Sequence, residues 1–220
     1  MFKAILFDMD GVLIDSTKAV WISFGKVLSD EKIDFNGFSD DYIKKNLARS
    51  LRDNIKAWRN EYGLRDYDVM EFSKKCGAIQ LDMLKDQKVN IDLLKFLEQA
   101  KNKNIRCAVA TSSTGWRAEK ILEMINIRKF FNVVVTAEDV KSHKPSPEVF
   151  LHAAKLLEVK PDECIVFEDA RNGIEAAKSA DMKAIGIITK YNSLEELEHA
   201  DIIINDFSEI DIEKIKELFQ

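Results

Sequence analysis

The chain has 220 residues, of which 46% are hydrophobic and 32% are charged, and its formal net charge is −5. This length suits one large domain or a core domain with a smaller one, and the acidic balance weighs against nucleic acid as a ligand. No apolar run approaches the ~20 residues that a membrane helix needs, and the first residues contain no signal-type cleavage site. We therefore expect a cytoplasmic protein with no membrane partner. The three cysteines, Cys76, Cys107 and Cys164, have a spacing that fits neither a zinc site nor a disulfide framework.

A short apolar run opens the chain, and a long helical stretch follows it. The run Lys3–Phe7 predicts a buried strand that ends in a turn at Asp8–Gly11. The stretch from about Thr17 to Lys85 has apolar residues at helical spacing and no clear strand. It therefore predicts a small helical domain inserted after the first strand.

From about Val89 onwards, strands and helices alternate. The predicted strands are Arg106–Thr111, Val133–Thr136, Cys164–Phe167, Lys183–Ile188 and Asp201–Ile204. The predicted helices are Asp92–Lys103, Trp116–Ile125, Pro147–Leu157, Ile174–Ala180 and Ile210–Phe219. This alternation predicts an α/β fold with a doubly wound, mostly parallel, Rossmann-like sheet that is covered by helices on both faces. We assign residues 1–16 and 87–220 to this core and residues 17–86 to an inserted helical cap domain.

Polar residues follow several of the predicted strands. In open α/β sheets ligands bind beyond the carboxyl ends of the strands, so these residues are candidates for a site. The candidates are Asp8 and Asp10, then Thr111, Ser112 and Ser113, then Lys144, and finally Glu168 and Asp169. Each of these groups of residues alone has an ordinary structural explanation, such as a helix cap or an exposed side chain. The complete set, in which acids and hydroxyls follow strands of one sheet, favours a functional site.

Four of these candidates are carboxylates that would meet at one edge of the sheet. Unit charges ~4 Å apart interact by about 4 kcal/mol at an effective dielectric constant near 20, so the cluster requires a cation. An all-oxygen donor set suits Mg²⁺, which commonly binds one or two carboxylates, water and a substrate phosphate. The cluster therefore predicts Mg²⁺ as the cofactor and a phosphorylated substrate.

The other chemistry follows from the residue types. A carboxylate such as Asp8 acts as a nucleophile by forming an acyl-phosphate, and a second carboxylate, Asp10, can protonate the leaving alcohol and then activate water. Thr111 offers a hydroxyl, and the backbone N–H groups at the start of the Trp116–Ile125 helix favour an anion. Lys144 supplies a positive charge to the transferring phosphoryl group.

Four segments together resemble the motifs of the haloacid dehalogenase-like (HAD) superfamily. They are Phe7–Ser16, Val109–Ser113, Lys144–Pro147, and Phe167–Ala170 with Asn172–Gly173 beyond it. The resemblance covers nearly the whole chain. The branch that it indicates carries a helical cap after the first strand and includes β-phosphoglucomutase and phosphoglycolate-phosphatase-like enzymes.

The resemblance implies a role for each motif residue. Asp8 is expected to be the nucleophile, and Asp10 the general acid/base that also lends its backbone carbonyl to the metal. The expected metal ligands are Asp8, Asp10, Glu168 and Asp169. The expected phosphate-binding residues are Thr111, Ser112, Ser113 and Lys144.

Five positions bear on the choice between branches of the superfamily. Haloacid dehalogenases usually carry tyrosine and phosphonatases alanine where this chain has Asp10, and an acid there fits cleavage of a phosphate ester. β-Phosphoglucomutases usually place a histidine where this chain has Val20 and a lysine–asparagine pair where it has Cys76 and Gly77. A glycine that is usual in the cap loop is replaced by Ala48. These departures weigh against mutase activity.

We therefore predict a Mg²⁺-dependent phosphatase that hydrolyses a small phosphate monoester, such as a sugar phosphate or a phosphoglycolate-like metabolite, through an aspartyl-phosphate. The alternatives are a β-phosphoglucomutase-like phosphomutase and a phospho-Asp signalling or binding module. The signalling module fits poorly, because receiver domains are much shorter and lack the helical insertion. Arg49 and Arg52 of the cap are candidates for the polar end of a substrate, with ordinary surface arginines as the alternative. We expect a monomer or a weak homodimer whose partner is a small phosphorylated metabolite.

Overall fold

The chain forms two compact units in a computed structural model that describes residues 2–33, 36–47 and 49–220. One unit, here called the sheet unit, comprises Met1–Asp15 and Gln87–Gln220, and the other, the helical unit, comprises Ser16–Asp86. The division lies one residue from the predicted boundary between core and cap, and the function of the helical unit as a cap stays a prediction. Within the described ranges, no helix combines the length and the apolar character needed to cross a membrane.

The elements follow the alternation expected from the sequence. In chain order they are β1 (Ala4–Phe7), α1 (Thr17–Asp30), α2 (Asp40–Asn46), α3 (Leu51–Tyr62), α4 (Val69–Leu84), α5 (Ile91–Asn102), β2 (Arg106–Ala110), α6 (Gly115–Met124), β3 (Val133–Val135), α7 (Glu148–Leu156), β4 (Cys164–Glu168), α8 (Arg171–Ser179), β5 (Lys183–Ile187), β6 (Ile202–Ile204) and α9 (Ile212–Glu217). Every strand and helix predicted for the core is present, with ends that shift by three residues or fewer. The predicted α/β fold class is therefore confirmed.

The described residues form one six-stranded sheet in the order β3-β2-β1-β4-β5-β6. All five neighbouring pairs are parallel. β1 lies in the middle, with β2 and β3 on one side and β4 to β6 on the other, so the direction of winding reverses beside it. In doubly wound sheets such a reversal opens a crevice at the carboxyl ends of the strands. The carboxyl ends of β1 and β4 therefore face the position where a ligand is expected.

The central strands are continuous apolar runs because both of their faces are covered. Each residue of β1 and of β4 is buried. On one face Leu6 and Val166 belong to a core built with α7 and α8. On the other face Phe7 stacks on Phe167, and Phe207 stacks on Phe167 as well, each pair with ring centroids 5.2 Å apart. These contacts fix β1 and β4 beside each other.

An aromatic cluster around Trp58 forms the centre of the helical unit. Trp58 is fully buried, and its ring centroid lies 5.3 Å from those of Phe24 and Phe38 and 5.8 Å from that of Phe72. Such ring pairs add to the stabilisation that comes from burial of their apolar area. The helical unit therefore has its own hydrophobic core.

Candidate active site

Asp8 lies at the carboxyl end of β1 and is held there by the neighbouring strand. Its backbone N–H donates to the carbonyl oxygen of Phe167 at 2.9 Å, which continues the β1–β4 pairing by one residue. Glu168 is the last residue of β4, so the two carboxylates emerge from adjacent strands. Both residues are buried, and their negative charges require compensation.

Lys144 lies between these two carboxylates. Its Nζ donates to Asp8 Oδ1 at 2.5 Å, to Glu168 Oε1 at 2.6 Å and to the backbone carbonyl oxygen of Ala110 at 3.1 Å. The side chain of Lys144 is only 4% exposed, so all three ammonium hydrogens are used by protein acceptors. The lysine thus joins the ends of β1, β2 and β4 at one point.

Three carboxylates form a group that could hold a metal ion. One ligand oxygen from each of Asp8, Glu168 and Asp169 lies within 4.8 Å of the other two, and all three residues are buried. The second oxygen of Glu168, Oε2, accepts from the backbone N–H groups of Asp169 and Ala170 at 3.1 and 3.2 Å, which fixes the orientation of this carboxylate. An all-oxygen, anionic donor set of this kind fits a hard divalent cation such as Mg²⁺.

Burial has large effects on the ionisation of this group. Burial raises the pKa of Asp8 to about 7, with the charge of Lys144 opposing this effect and those of Glu168 and Asp10 adding to it. Burial also raises the pKa of Asp169 well above its ordinary value, and the negative charges of Glu168 and Asp8 act in the same direction. Burial alone would lower the pKa of Lys144, but the charges of Asp8 and Glu168 raise it above the ordinary value. The arrangement therefore keeps Lys144 protonated and favours a bound cation near the carboxylates.

The side chain of Asp10 forms an ion pair with a different cation, Arg117. Arg117 Nη1 and Nη2 donate to Asp10 Oδ2 and Oδ1 at 2.8 and 2.7 Å. Ser113 Oγ donates to Asp10 Oδ2 at 2.9 Å and accepts from Arg117 Nη1 at 2.6 Å. The carboxylate of Asp10 is thus not among the three that could hold a metal, and the role of its backbone carbonyl as a ligand stays a prediction.

The segment between β2 and α6 contains the predicted phosphate-binding hydroxyls. Thr111 is buried, and its Oγ1 accepts from the backbone N–H of Ser113 at 3.1 Å, whereas Ser112 is exposed. At the start of α6, where we expected an anion, the N–H of Gly115 donates to Glu138 Oε2 at 2.7 Å. This N–H group is therefore occupied by an acid of the chain itself.

Two residues that were predicted to contact the substrate, Arg49 and Arg52, lie in the helical unit. Arg49 lies between α2 and α3 and Arg52 in the first turn of α3, and both side chains are exposed. Their assignment to a substrate stays a prediction. Val20 lies half-buried on α1, and Ala48 falls outside the described residues.

Two side chains at the site were not predicted from the sequence. Arg117 is the partner of Asp10, and its position four residues after Ser113, about one helical turn, is a signal that could have identified it. Asn192 lies in the segment after β5, and its Nδ2 donates to the carbonyl oxygens of Asp169 at 2.6 Å and Ile187 at 2.8 Å. It anchors the backbone that carries Asp169, and no sequence pattern marks it.

The fold and the residues at its sheet edge define the class of this protein. The family model described as haloacid dehalogenase-like hydrolase matches residues 5–187, so the chain belongs to this family. The resemblance found in the four sequence motifs is therefore confirmed, as is the prediction of an HAD-like hydrolase.

Individual relatives extend over almost the whole chain. A phosphorylated carbohydrates phosphatase from Thermotoga maritima is 29% identical over 192 residues, which cover 86% of this chain and 87% of the relative. A β-phosphoglucomutase from Bacillus subtilis is 27% identical over 219 residues, which cover 98% of this chain and 94% of the relative. The crystal structure of a HAD hydrolase of family IA, variant 3, from Entamoeba histolytica has a TM-score of 0.87 at 27% identity and covers 99% of both chains.

Proposed function

We propose that this protein is a Mg²⁺-dependent phosphatase that hydrolyses the phosphate monoester of a small carbohydrate through an aspartyl-phosphate on Asp8. The observation that carries the proposal is the buried group of Asp8, Glu168 and Asp169 with Lys144 between the first two. Membership of the hydrolase family and the similarity to a phosphorylated carbohydrates phosphatase support it.

The proposed reaction has two displacements at phosphorus. In the first, an oxygen of Asp8 forms a bond to phosphorus while the bond to the ester oxygen breaks, and the leaving oxygen takes a proton from Asp10. In the second, water gives a proton to Asp10 and attacks phosphorus, so the bond to Asp8 breaks and inorganic phosphate leaves. Lys144 and the hydroxyls of Thr111, Ser112 and Ser113 are proposed to bind the phosphoryl oxygens, for which Lys144 would exchange one of its three protein acceptors and Ser113 its contact with Asp10.

The charges at the site support a divalent cation. When ionised, the carboxylates of Asp8, Asp10, Glu168 and Asp169 carry four negative charges. Lys144 and Arg117 contribute two positive charges, which leaves a formal excess of two negative charges. Asp8, Glu168 and Asp169 would hold Mg²⁺ through their oxygens. Bound there, the ion would supply positive charge to the phosphate and to the carboxylate nucleophile.

The substrate is proposed from the relatives and from the helical unit. The relative from Thermotoga maritima is a phosphatase of phosphorylated carbohydrates, and we propose the same substrate class for this chain. The helical unit is proposed to act as the cap, with Arg49 and Arg52 contacting the polar end of the sugar. The oligomeric state proposed is a monomer or a weak homodimer.

The test is a panel of phosphorylated metabolites with phosphate release as the readout. We expect release from at least one sugar phosphate in Mg²⁺, little release in EDTA, and a loss of at least about 10⁴-fold in Asp8→Asn, which lacks the nucleophile. Asp86→Asn, an exposed position, serves as the matched control and should keep full activity. Turnover by Asp8→Asn at a near-normal rate would show that Asp8 is not the nucleophile.

The similarity to a β-phosphoglucomutase over 98% of this chain makes a phosphomutase the second candidate. The same assay separates the two activities if glucose 1-phosphate is supplied with and without glucose 1,6-bisphosphate. Glucose 6-phosphate formed without free phosphate would identify a mutase. Free phosphate in proportion to substrate loss would identify a phosphatase.

A further inference from the structure

Arg117 is buried, and its guanidinium group forms an ion pair with the carboxylate of Asp10. The arginine side chain is 4% exposed and that of Asp10 is 28% exposed. The two Nη atoms contact the two carboxylate oxygens at 2.7 and 2.8 Å, which is the bidentate arrangement of a guanidinium on a carboxylate. A bidentate contact fixes the plane of the carboxylate as well as its distance, so Asp10 is held in one orientation with an accessible side.

The local backbone fixes the position of Arg117. It lies in the first turn of α6, and the N–H of Ala118, the next residue, donates to the carbonyl oxygen of Thr114 at 2.9 Å. Ser113 bridges Arg117 and Asp10, and its own N–H donates to Thr111 Oγ1 at 3.1 Å. The contact to Asp10 is therefore joined to the segment that contains the phosphate-binding candidates.

The second cation of the site cannot perform this task. Lys144 uses its three hydrogens on Asp8, Glu168 and the carbonyl oxygen of Ala110. Arg117 Nε is buried without a hydrogen-bond partner among the described residues, so the guanidinium presents its two Nη groups end-on to Asp10. Each cation of the site therefore pairs with different carboxylates. Lys144 pairs with Asp8, the proposed nucleophile, and with Glu168, a candidate metal ligand. Arg117 pairs with Asp10.

We infer that Arg117 is a positioning residue that holds Asp10 in the orientation from which it exchanges a proton with the leaving oxygen and with water. The inference rests on the proposed function, because it requires Asp10 to be the general acid/base. The proton itself moves only between Asp10 and the substrate or water, and Arg117 stays protonated throughout. Arg117 acts through the carboxylate oxygens of Asp10, which its two Nη groups contact, and no bond of Arg117 forms or breaks.

The leaving group provides a test that a merely structural role would not satisfy. The value of kcat/KM reports the first displacement, in which an alkanol leaving group needs the proton of Asp10 and p-nitrophenolate does not. We expect Arg117→Met to lower kcat/KM by about 100-fold for the best sugar phosphate and by less than about 5-fold for p-nitrophenyl phosphate. Arg117→Lys, which keeps the charge but loses the bidentate contact, should lie between the wild type and Arg117→Met.

A double-mutant comparison then shows whether the effect passes through Asp10. In an Asp10→Asn background, Arg117→Met should lower kcat/KM for the sugar phosphate by less than about 2-fold. The reason is that the effects of two substitutions on kcat/KM do not add when one residue acts through the other. Lys120→Met, on the exposed side of the same helix, is the matched control and should leave both substrates unaffected. Circular dichroism and Tm establish that each variant is folded.

The outcomes separate the inference from the proposed function. If Asp10→Asn lowers kcat/KM equally for both substrates, Asp10 is not the acid, and the inference is overturned together with that role. If Asp10→Asn is selective for the sugar phosphate but Arg117→Met affects both substrates equally, or adds fully to Asp10→Asn, only the inference is overturned. A folded Arg117→Met variant with wild-type kcat/KM for both substrates also overturns it.

Discussion

Two glycines allow the backbone to pass close to the carboxylates at the end of β4. A Cβ atom added to Gly173 would lie 1.9 Å from the carboxyl carbon of Glu168, and one added to Gly11 would lie 2.0 Å from Asp169 Oδ2. Gly11 also has a φ of +82°, which side chains rarely adopt. Both positions therefore exclude a side chain because of the site that they border.

For Gly173, which lies in α8, helix propensity and the geometry of the site predict opposite effects of a substitution by alanine. Alanine in place of glycine inside a helix ordinarily stabilises by about 1 kcal/mol. In Gly173→Ala the new methyl group must displace Glu168 from Lys144, and a displacement of about 1 Å in an active site costs about 100-fold in rate. We expect a loss of about that size in kcat at saturating Mg²⁺. Ser179→Ala on the exposed end of α8 is the control, and a Gly173→Ala enzyme with full activity would show that Glu168 needs no fixed position.

The residues of the site differ in how far the sequence reveals them. Asp8 and Glu168 were predictable because each lies at the end of an apolar run, and parallel strands end at one edge of a sheet. Arg117 was missed because it is one of many charged residues in a helix, and only its contact with Asp10 distinguishes it. Asn192 was missed because its role depends on the approach of two loops that are 23 residues apart in sequence.

At the scale of elements, four helices of the sheet unit end in the same way. A residue with φ between 55° and 59° follows each helix, and an apolar residue comes next. The N–H of that apolar residue donates to the carbonyl oxygen five residues earlier, which is the Schellman motif. The four left-handed residues are Asn104, Asn126, Glu158 and Asp181. Because none is glycine, the sequence did not mark these helix ends clearly.

Glu158 is the least suitable residue type among these four. The left-handed conformation costs an ordinary L-residue roughly 1–2 kcal/mol, and asparagine tolerates it better than glutamate does. Glu158 is exposed, so its replacement by glycine removes this cost without loss of packing. We expect Glu158→Gly to raise the free energy of unfolding by about 1 kcal/mol, as measured by urea denaturation. The control is Asn126→Gly, for which a smaller gain is expected, and an equal gain in both would contradict the argument.

At the scale of the whole molecule, the strand order was not accessible from the sequence. The alternation of elements predicted a parallel sheet but not which strand lies beside β1. The structure places β2 and β4 there, and this choice brings Lys144 within reach of Asp8, Glu168 and the carbonyl of Ala110 together. The strand order depends on side-chain packing between elements that are distant in sequence, such as the stacking of Phe7 on Phe167, and not on any local sequence pattern.

Folding of the whole chain also buries carboxyl groups whose ionisation is unfavourable. The pKa of Asp8 is raised to about 7 by burial, and the pKa of Asp169 is raised well above its ordinary value for the same reason. In the unfolded chain both groups ionise near about pH 4. Between these pH values the folded state keeps protons that the unfolded state has lost, so stability falls as pH rises. Carboxyls with a lowered pKa, such as those of Glu163 and Asp201, act in the opposite direction but titrate at lower pH.

We therefore expect the free energy of unfolding of the metal-free protein to fall between about pH 5 and about pH 7, by about 1.4 kcal/mol per pH unit for each of the two carboxyls that keeps its proton in the folded state. Mg²⁺ at about 100 times its dissociation constant should restore about 2.7 kcal/mol, because it binds the ionised carboxylates of the folded state. In Asp8→Asn one buried charge is absent, so the decline should be shallower and the metal-free variant more stable than the wild type at about pH 8. Urea denaturation followed by circular dichroism in EDTA measures both effects, with Asp86→Asn as the exposed control. A wild-type slope in Asp8→Asn would mean that Asp8 does not retain its proton on folding.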